Sequence, residues 1–220
     1  EKAFNRIPEM YDTTIGWRFI NKKLADKYYP YAMGETAENV AEKWGINRKQ
    51  QDEFAYHTQL KYQKAHEAGK FREELTPVSV PQRKKDPILF EKDEHPRLSD
   101  IEILGKLKPA FKKDGTVTAG NASGINDGAA VLILASEKAV KKYNLKPMAR
   151  VVSMGIAGVD PAFMGIGPVP ASRKAMKRAG IKSADLGLVE LNEAFAAQSI
   201  ACINDLELDP EKVNVNGGAI

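Results

Sequence analysis

The 220-residue sequence holds one cysteine, Cys202, so neither a disulfide framework nor a cysteine-built metal site can form within it. Histidine is nearly as scarce: His57, His66 and His95 are scattered through charged stretches without ligand spacing, which predicts no metal. No apolar run reaches the length of about 18 residues that a membrane helix needs, and no charged-then-apolar signal opens the chain. The expectation is therefore a soluble, cytoplasmic protein with no membrane partner. Charge of one sign is also lacking. Lys and Arg number 33 against 29 Asp and Glu, and this +4, evenly interspersed, argues against a nucleic-acid partner while suiting a small anionic ligand.

What is present is ordinary globular composition, 43% hydrophobic and 28% charged, in a chain long enough for a real core. The sequence begins at Glu1 and ends at Ile220, directly after Asn216-Gly217-Gly218-Ala219, which reads as the middle of a loop and as an excised segment. Residues 1 to about 34 mix aromatics with charges and predict short helices and loops. ETAENVAEKWG places Ala37, Val40, Ala41 and Trp44 at helical spacing and stops at Gly45. Asn47 and Gln50 then form a capping-box pattern, ahead of a long helix whose one face carries Phe54, Thr58, Tyr62 and Ala65. From Phe71 to Lys108, prolines at 77, 81, 87 and 96 predict edge strands and excursions, with a basic cluster at Arg83, Lys84 and Lys85.

In FKKDGTVTAGNASGINDGAAVLILAS, small polar residues allow close approach of the backbone, and Ala129 to Ala135 has the length of a strand. The glycines precede that strand, so a dinucleotide fingerprint fails on context. A short basic helix from Ser136, a strand over Arg150 to Ile156, a Gly/Pro loop carrying Phe163 and Met164, and a helix after Pro170 that stops at Gly180 follow. LVELNEAFAAQ reads as a strand over Leu188 to Leu191 feeding a helix, and Val213 to Val215 as a last strand. Alternation of strand and helix from about residue 129 is the signature of an α/β layer. Asn192 and Glu193 stand where ligands gather in such sheets, and equally where an N-cap and a first-turn acid belong.

Four stretches in this order, TVTAGNASGINDGAA at 116–130, MGIGPVPASRKA at 164–175, NEAFAAQ at 192–198 and VNVNGGAI at 213–220, resemble the thiolases, acyl-CoA C-acyltransferases of the acetyl-CoA acetyltransferase and 3-oxoacyl-CoA thiolase type. The resemblance covers only the middle of a thiolase. It implies an α/β fold of layered βαβαβ halves with helices on both faces, incomplete here, plus an inserted, mostly helical loop domain. The implied division is 1–115 for that CoA-cupping insertion, 116–146 for the end of the first half and 147–220 for the start of the second.

In the family a cysteine becomes acylated, a histidine activates it and a second cysteine moves the proton; none of these is matched, so the segment alone is expected to be inactive. Cys202, inside an apolar helical pattern, reads as a buried small hydrophobe. Asn192 matches the family asparagine that holds a water at an oxyanion hole, with Glu193 buttressing the turn. Ser123 matches the serine that meets the pantetheine arm of coenzyme A, beside Ala119 and Gly120. Phe111, Met33, Met164, Ala194 and Phe195 match positions lining the tunnel and acyl pocket, and Arg97 falls near the arginine at the nucleotide end. The resemblance further implies no permanently bound cofactor, coenzyme A and acyl-CoA as substrates, a role in fatty acid metabolism, and a homo-oligomer, dimer or tetramer. YDTTIGWRFIN at 11–21 resembles the 3-oxoadipyl-CoA branch. Taken literally, the missing nucleophile would instead suit an acyl-CoA-binding scaffold.

Overall fold

The computed structural model describes residues 10, 16, 17 and 19–220, so residues 1–9 and much of YDTTIGWRFIN lie outside the described residues. Seven α-helices are found among them: α1 Lys22–Ala25, α2 Met33–Trp44, α3 Arg48–Glu67, α4 Ile101–Gly105, α5 Glu137–Tyr143, α6 Pro168–Ala179 and α7 Ala196–Asp205. Their ends follow local chemistry. α2 closes at Gly45 in the left-handed conformation, and α3 opens on the Asn47–Gln50 capping box, each side chain taking the other's backbone N–H at 3.0 and 2.8 Å. α5 begins at Ser136, whose hydroxyl accepts from Ala139 N, and α6 ends at left-handed Gly180. α6 starts earlier than the sequence predicts, at Pro168, because proline is well suited to a first helical turn whose N–H groups are unpaired anyway.

α7 is the centre of the packing. Ala196, Ala197, Gln198, Ser199, Ala201, Cys202 and Ile203 are all buried, and α2, α3 and α6 each lie against it. Cys202 and Ile203 join Val169, Leu206, Leu208 and Val213 in one apolar cluster. Ala196 joins Ala55, Leu104 and Ile220 in a second, and Ala201 joins Val40 and Ile46 in a third. Trp44 Nε1 donates to Asp205 Oδ1 at 3.1 Å and ties the C-terminal ends of α2 and α7 together. The small residues of α7 let the three surrounding helices approach it closely, the reason a helix with so few large side chains can sit innermost.

The Pro-rich stretch forms an exposed antiparallel hairpin, β1 Val78–Gln82 with β2 Lys85–Phe90, closed by Arg83 and left-handed Lys84. The strands expected at 129–135 and 150–156 are a correction. Neither carries a ladder, and Val131, Leu132, Ile133 and Leu134 are 83–89% exposed. A strand exists only where a neighbour takes its N–H and C=O groups, and no described segment lies alongside residues 129–135 to do so. Residues 153–156 instead lie on α6, with Ser153 Oγ donating to Ala175 O (2.7 Å) and Arg178 to Met154 O (2.6 Å).

The segments expected as strands at 188–191 and 213–215 do meet, through a single parallel bridge between Val189 and Val213. Val189 N donates to Lys212 O and Asn214 N to Val189 O, both at 2.9 Å. The buried amide of Asn214 extends the pairing by one more step, accepting from Leu191 N (2.7 Å) and donating to Leu191 O (2.8 Å). Among the described residues no helix is long and apolar enough to cross a membrane.

Candidate functional site

Asn192 does not cap a helix. α7 begins at Ala196 with Phe195 at its N-cap position, and Asn192 to Ala194 form the irregular turn between the Val189 bridge and that helix. The expectation of an N-cap at Asn192 fails because the turn is held by other bonds. Ser123 N donates to Ala194 O at 3.1 Å, Ala196 N donates to Asn121 O at 2.9 Å, and Ala122 and Phe195 form an antiparallel bridge. Two of the four singled-out stretches are thus laced together along their backbones. The first orphan N–H of α7 is satisfied by this lacing, so a side-chain cap is not required.

Below the turn lies Glu193, 1% exposed. Its carboxylate accepts from Thr58 Oγ1 (2.9 Å to each oxygen), from Asn214 Nδ2 (2.7 Å) and from Ile220 N (3.4 Å). Burial of a carboxylate is costly unless its lone pairs are filled in this way. Asn192 beside it is exposed and lines a cavity of about 940 Å³ together with Ser123, His95, Asn216 and Gly218. The Asn192 amide thus stands exposed at a cavity, on a backbone whose next residue is buried and bonded, which is where a donor to developing charge is required.

The loop opposite is held as firmly. Glu38, from α2, accepts from the backbone N–H groups of Thr116 and Val117 and from the Thr116 hydroxyl, at 2.8 to 3.0 Å. Asn121, fully buried, accepts from Thr118 N (2.8 Å) and donates to Asp52 Oδ1 (3.0 Å) and Thr116 O (3.1 Å). Asp52 is in turn paired with Arg48 at 2.7 Å. Carboxylates from α2 and α3 therefore fix the turn that ends in Ser123.

The remaining residues singled out by sequence divide into groups. Phe111 and Phe195 meet edge to face, with ring centroids 6.2 Å apart, and the Phe111 ring covers Gly34. Met33, next to Gly34 at the start of α2, is 65% exposed, and Met164, in the 3-10 turn Pro161–Ile166, is 50% exposed. Ala194 and Phe195 belong to the laced turn. Ala119 is exposed, while the space beside Gly120 is taken by Leu104 and Leu107. Arg97 has an exposed side chain and does not line the cavity. Its backbone N–H donates to Gln59 Oε1 at 3.0 Å, and Gln59 does line it.

Cys202 is buried, and burial, with a further contribution from Asp205, pushes its thiol up to about 11 despite a hydrogen bond from Gln198. A thiol so placed is almost wholly protonated at neutral pH and is no nucleophile. Burial and the nearby Asp93 also raise Tyr62, on the cavity wall.

Sequence reasoning missed Glu38, Asp52, Thr58 and His95. For Thr58 a signal existed, a hydroxyl in the buried stripe of a helix.

The profile of the thiolase N-terminal domain matches residues 8–138, and that of the thiolase C-terminal domain matches residues 145–220. The chain belongs to the thiolase family. A beta-ketoadipyl-CoA thiolase of Acinetobacter baylyi is 50% identical over all of this chain and 56% of its own length. Among solved structures, the Bacillus anthracis acetyl-CoA acetyltransferase is 46% identical at a TM-score of 0.84, covering 95% of this chain and 54% of that one. The human mitochondrial 3-ketoacyl-CoA thiolase in complex with CoA is 49% identical at 0.82, covering 90% and 49%. The thiolase-family chain described here thus spans about half the length of the relatives it matches, and its fold is the thiolase α/β fold.

Proposed function

We propose that the protein carrying this chain is an acyl-CoA C-acyltransferase that cleaves 3-oxoacyl-CoA with coenzyme A, or condenses two acetyl-CoA in reverse. The observation that carries the reading is the exposed Asn192 amide on the buried Glu193 base, laced to the loop that bears Ser123. In cleavage a cysteine thiolate adds to the 3-oxo carbon, and the bond between carbons 2 and 3 breaks. Its electron pair leaves as the enolate of acetyl-CoA, which is protonated at carbon 2. The acyl group on sulfur then passes to the thiol of coenzyme A. Each carbonyl addition and the enolate place negative charge on oxygen, and a donor fixed before the reaction lowers those barriers.

In this reading Asn192 holds a water as one such donor. Ser123 meets the pantetheine arm, beside Ala119 and Gly120. Met33, Phe111, Met164, Ala194 and Phe195 line the tunnel and acyl pocket, with Arg97 at the nucleotide end. The edge-to-face Phe111–Phe195 pair supports this by offering the apolar wall that a thioester and acyl chain require. Coenzyme A is a co-substrate and no cofactor is permanently bound. The family resemblance further supports a homo-oligomer, dimer or tetramer, acting in fatty acid metabolism, and a cytoplasmic location is proposed on composition alone. Ser123→Ala is expected to raise the KM for coenzyme A about threefold with kcat kept, as loss of one neutral hydrogen bond would. Steady-state kinetics check it, and a kcat loss with unchanged KM would remove Ser123 from the arm.

The nucleophile and its activating histidine are assigned outside these residues. The 220 residues alone should therefore turn over no acetoacetyl-CoA, since their one cysteine is the buried Cys202. Turnover by the isolated segment that vanished on Cys202→Ala would refute this.

One alternative substrate has an observation in its favour. The Acinetobacter relative is named for beta-ketoadipyl-CoA, and YDTTIGWRFIN resembles that branch. Comparing kcat/KM for acetoacetyl-CoA and 3-oxoadipyl-CoA, with protein expressed from the full reading frame, separates the two. A strong preference for the dicarboxylate would replace the general acyl-CoA assignment with the 3-oxoadipyl one.

A further inference from the structure

Thr58 lies on the buried stripe of α3, 4% exposed, between Ala55 and Ala65. A helix that only needed to pack here would be served by alanine or valine, without a polar group to satisfy. Instead the hydroxyl is used in both directions. It donates to the Glu193 carboxylate, whose two oxygens are each 2.9 Å away, and it accepts from Gly218 N at 2.8 Å. The same carboxylate takes Asn214 Nδ2 and Ile220 N. One side chain of α3 therefore joins the residue next to Asn192 to the 214–220 loop, and both of those stretches face the cavity.

The fit around this junction is tight. Gly217 has a φ of +88°, and a Cβ there would lie 2.7 Å from the Tyr62 backbone nitrogen and 2.8 Å from Thr58 O. A Cβ on Gly218 would run into the Glu193 carboxylate. The glycine loop is thus pressed onto α3 at the position of Thr58, and its approach depends on glycine in both places. Packing fixes how close the loop comes. The Thr58 hydroxyl ties it to Glu193, since it is hydrogen-bonded to both.

We propose that Thr58 is a positioning residue for acyl transfer: from α3 it orients Glu193, and through Glu193 the Asn192 amide, while pinning the glycine loop at Gly218. The proposal rests on the acyltransferase reading above. Thr58 touches no reacting atom. It acts on the placement of Asn192, so its loss should appear in the chemical step and not in binding of coenzyme A.

The test uses protein expressed from the full reading frame, assayed with acetoacetyl-CoA and coenzyme A. Thr58→Val keeps the side-chain shape and removes the hydroxyl. It is expected to lower kcat on the order of tenfold, as a small displacement of a catalytic donor does, with the KM for coenzyme A within about twofold of the parent. Thr58→Ser, which restores the hydroxyl, is expected to return kcat to near the parent value. If Thr58→Val does not yield folded protein, Thr58→Ala takes its place, because it also removes the hydroxyl. Unchanged kcat in the valine or alanine variant, or equal losses in the valine and serine variants, would overturn the positioning role while leaving the acyltransferase reading intact. A parent protein without turnover would overturn both.

Discussion

Asn192→Ala, in protein expressed from the full reading frame, should lower kcat about 10²- to 10³-fold, equivalent to roughly 3 to 4 kcal/mol of barrier, and leave the KM for coenzyme A almost unchanged. The reasoning starts from where the side chain stands. Asn192 is exposed on the cavity, so its removal opens no void in the core and leaves the Glu193 network intact. Its amide is worth most where charge accumulates on a substrate oxygen, which happens in the transition states and not in the bound substrate. Steady-state kinetics with circular dichroism as a folding control check this. A raised KM with unchanged kcat would mean that Asn192 binds and does not catalyse.

Glu193→Ala should have the largest effect on stability, a loss of about 3 to 5 kcal/mol, because it strands buried donors and leaves a cavity. Thr58 Oγ1, Asn214 Nδ2 and Ile220 N all give their hydrogens to this carboxylate. Asn214 also continues the Val189–Val213 pairing, so its disturbance would spread to the bridge that supports the turn. Glu193→Gln keeps the volume and some of the acceptors, and its loss should be roughly half as large. Denaturant unfolding of both variants measures the difference. Equal, small losses would show that water fills the place of the carboxylate and that the network is not a stabilising one.

The helices were legible in the sequence because their signals are local. Gly45, the Asn47–Gln50 box, Ser136 and Gly180 mark ends that depend on a few neighbouring residues. The apolar stretches at 129–135 and 150–156 were misread because strand formation depends on a partner that no local pattern can supply. The wording of NEAFAAQ marks Asn192 as a candidate site residue, and the structure puts it on the cavity wall without the capping role. The backbone of Asn121, brought in from a distant loop, satisfies Ala196 N in its stead. Glu38 and Asp52 were invisible as loop anchors for the same reason: each sits in an ordinary helical pattern, and only the fold brings it to Thr116 and Asn121.

The most direct measurement is the stoichiometry of products when protein expressed from the full reading frame is given acetoacetyl-CoA with and without free coenzyme A. Transfer of an acyl group from a 3-oxoacyl-CoA to coenzyme A predicts two acetyl-CoA for each acetoacetyl-CoA consumed, and no sustained consumption when coenzyme A is left out. Release of free acetoacetate, or binding of acyl-CoA without any turnover, would contradict it.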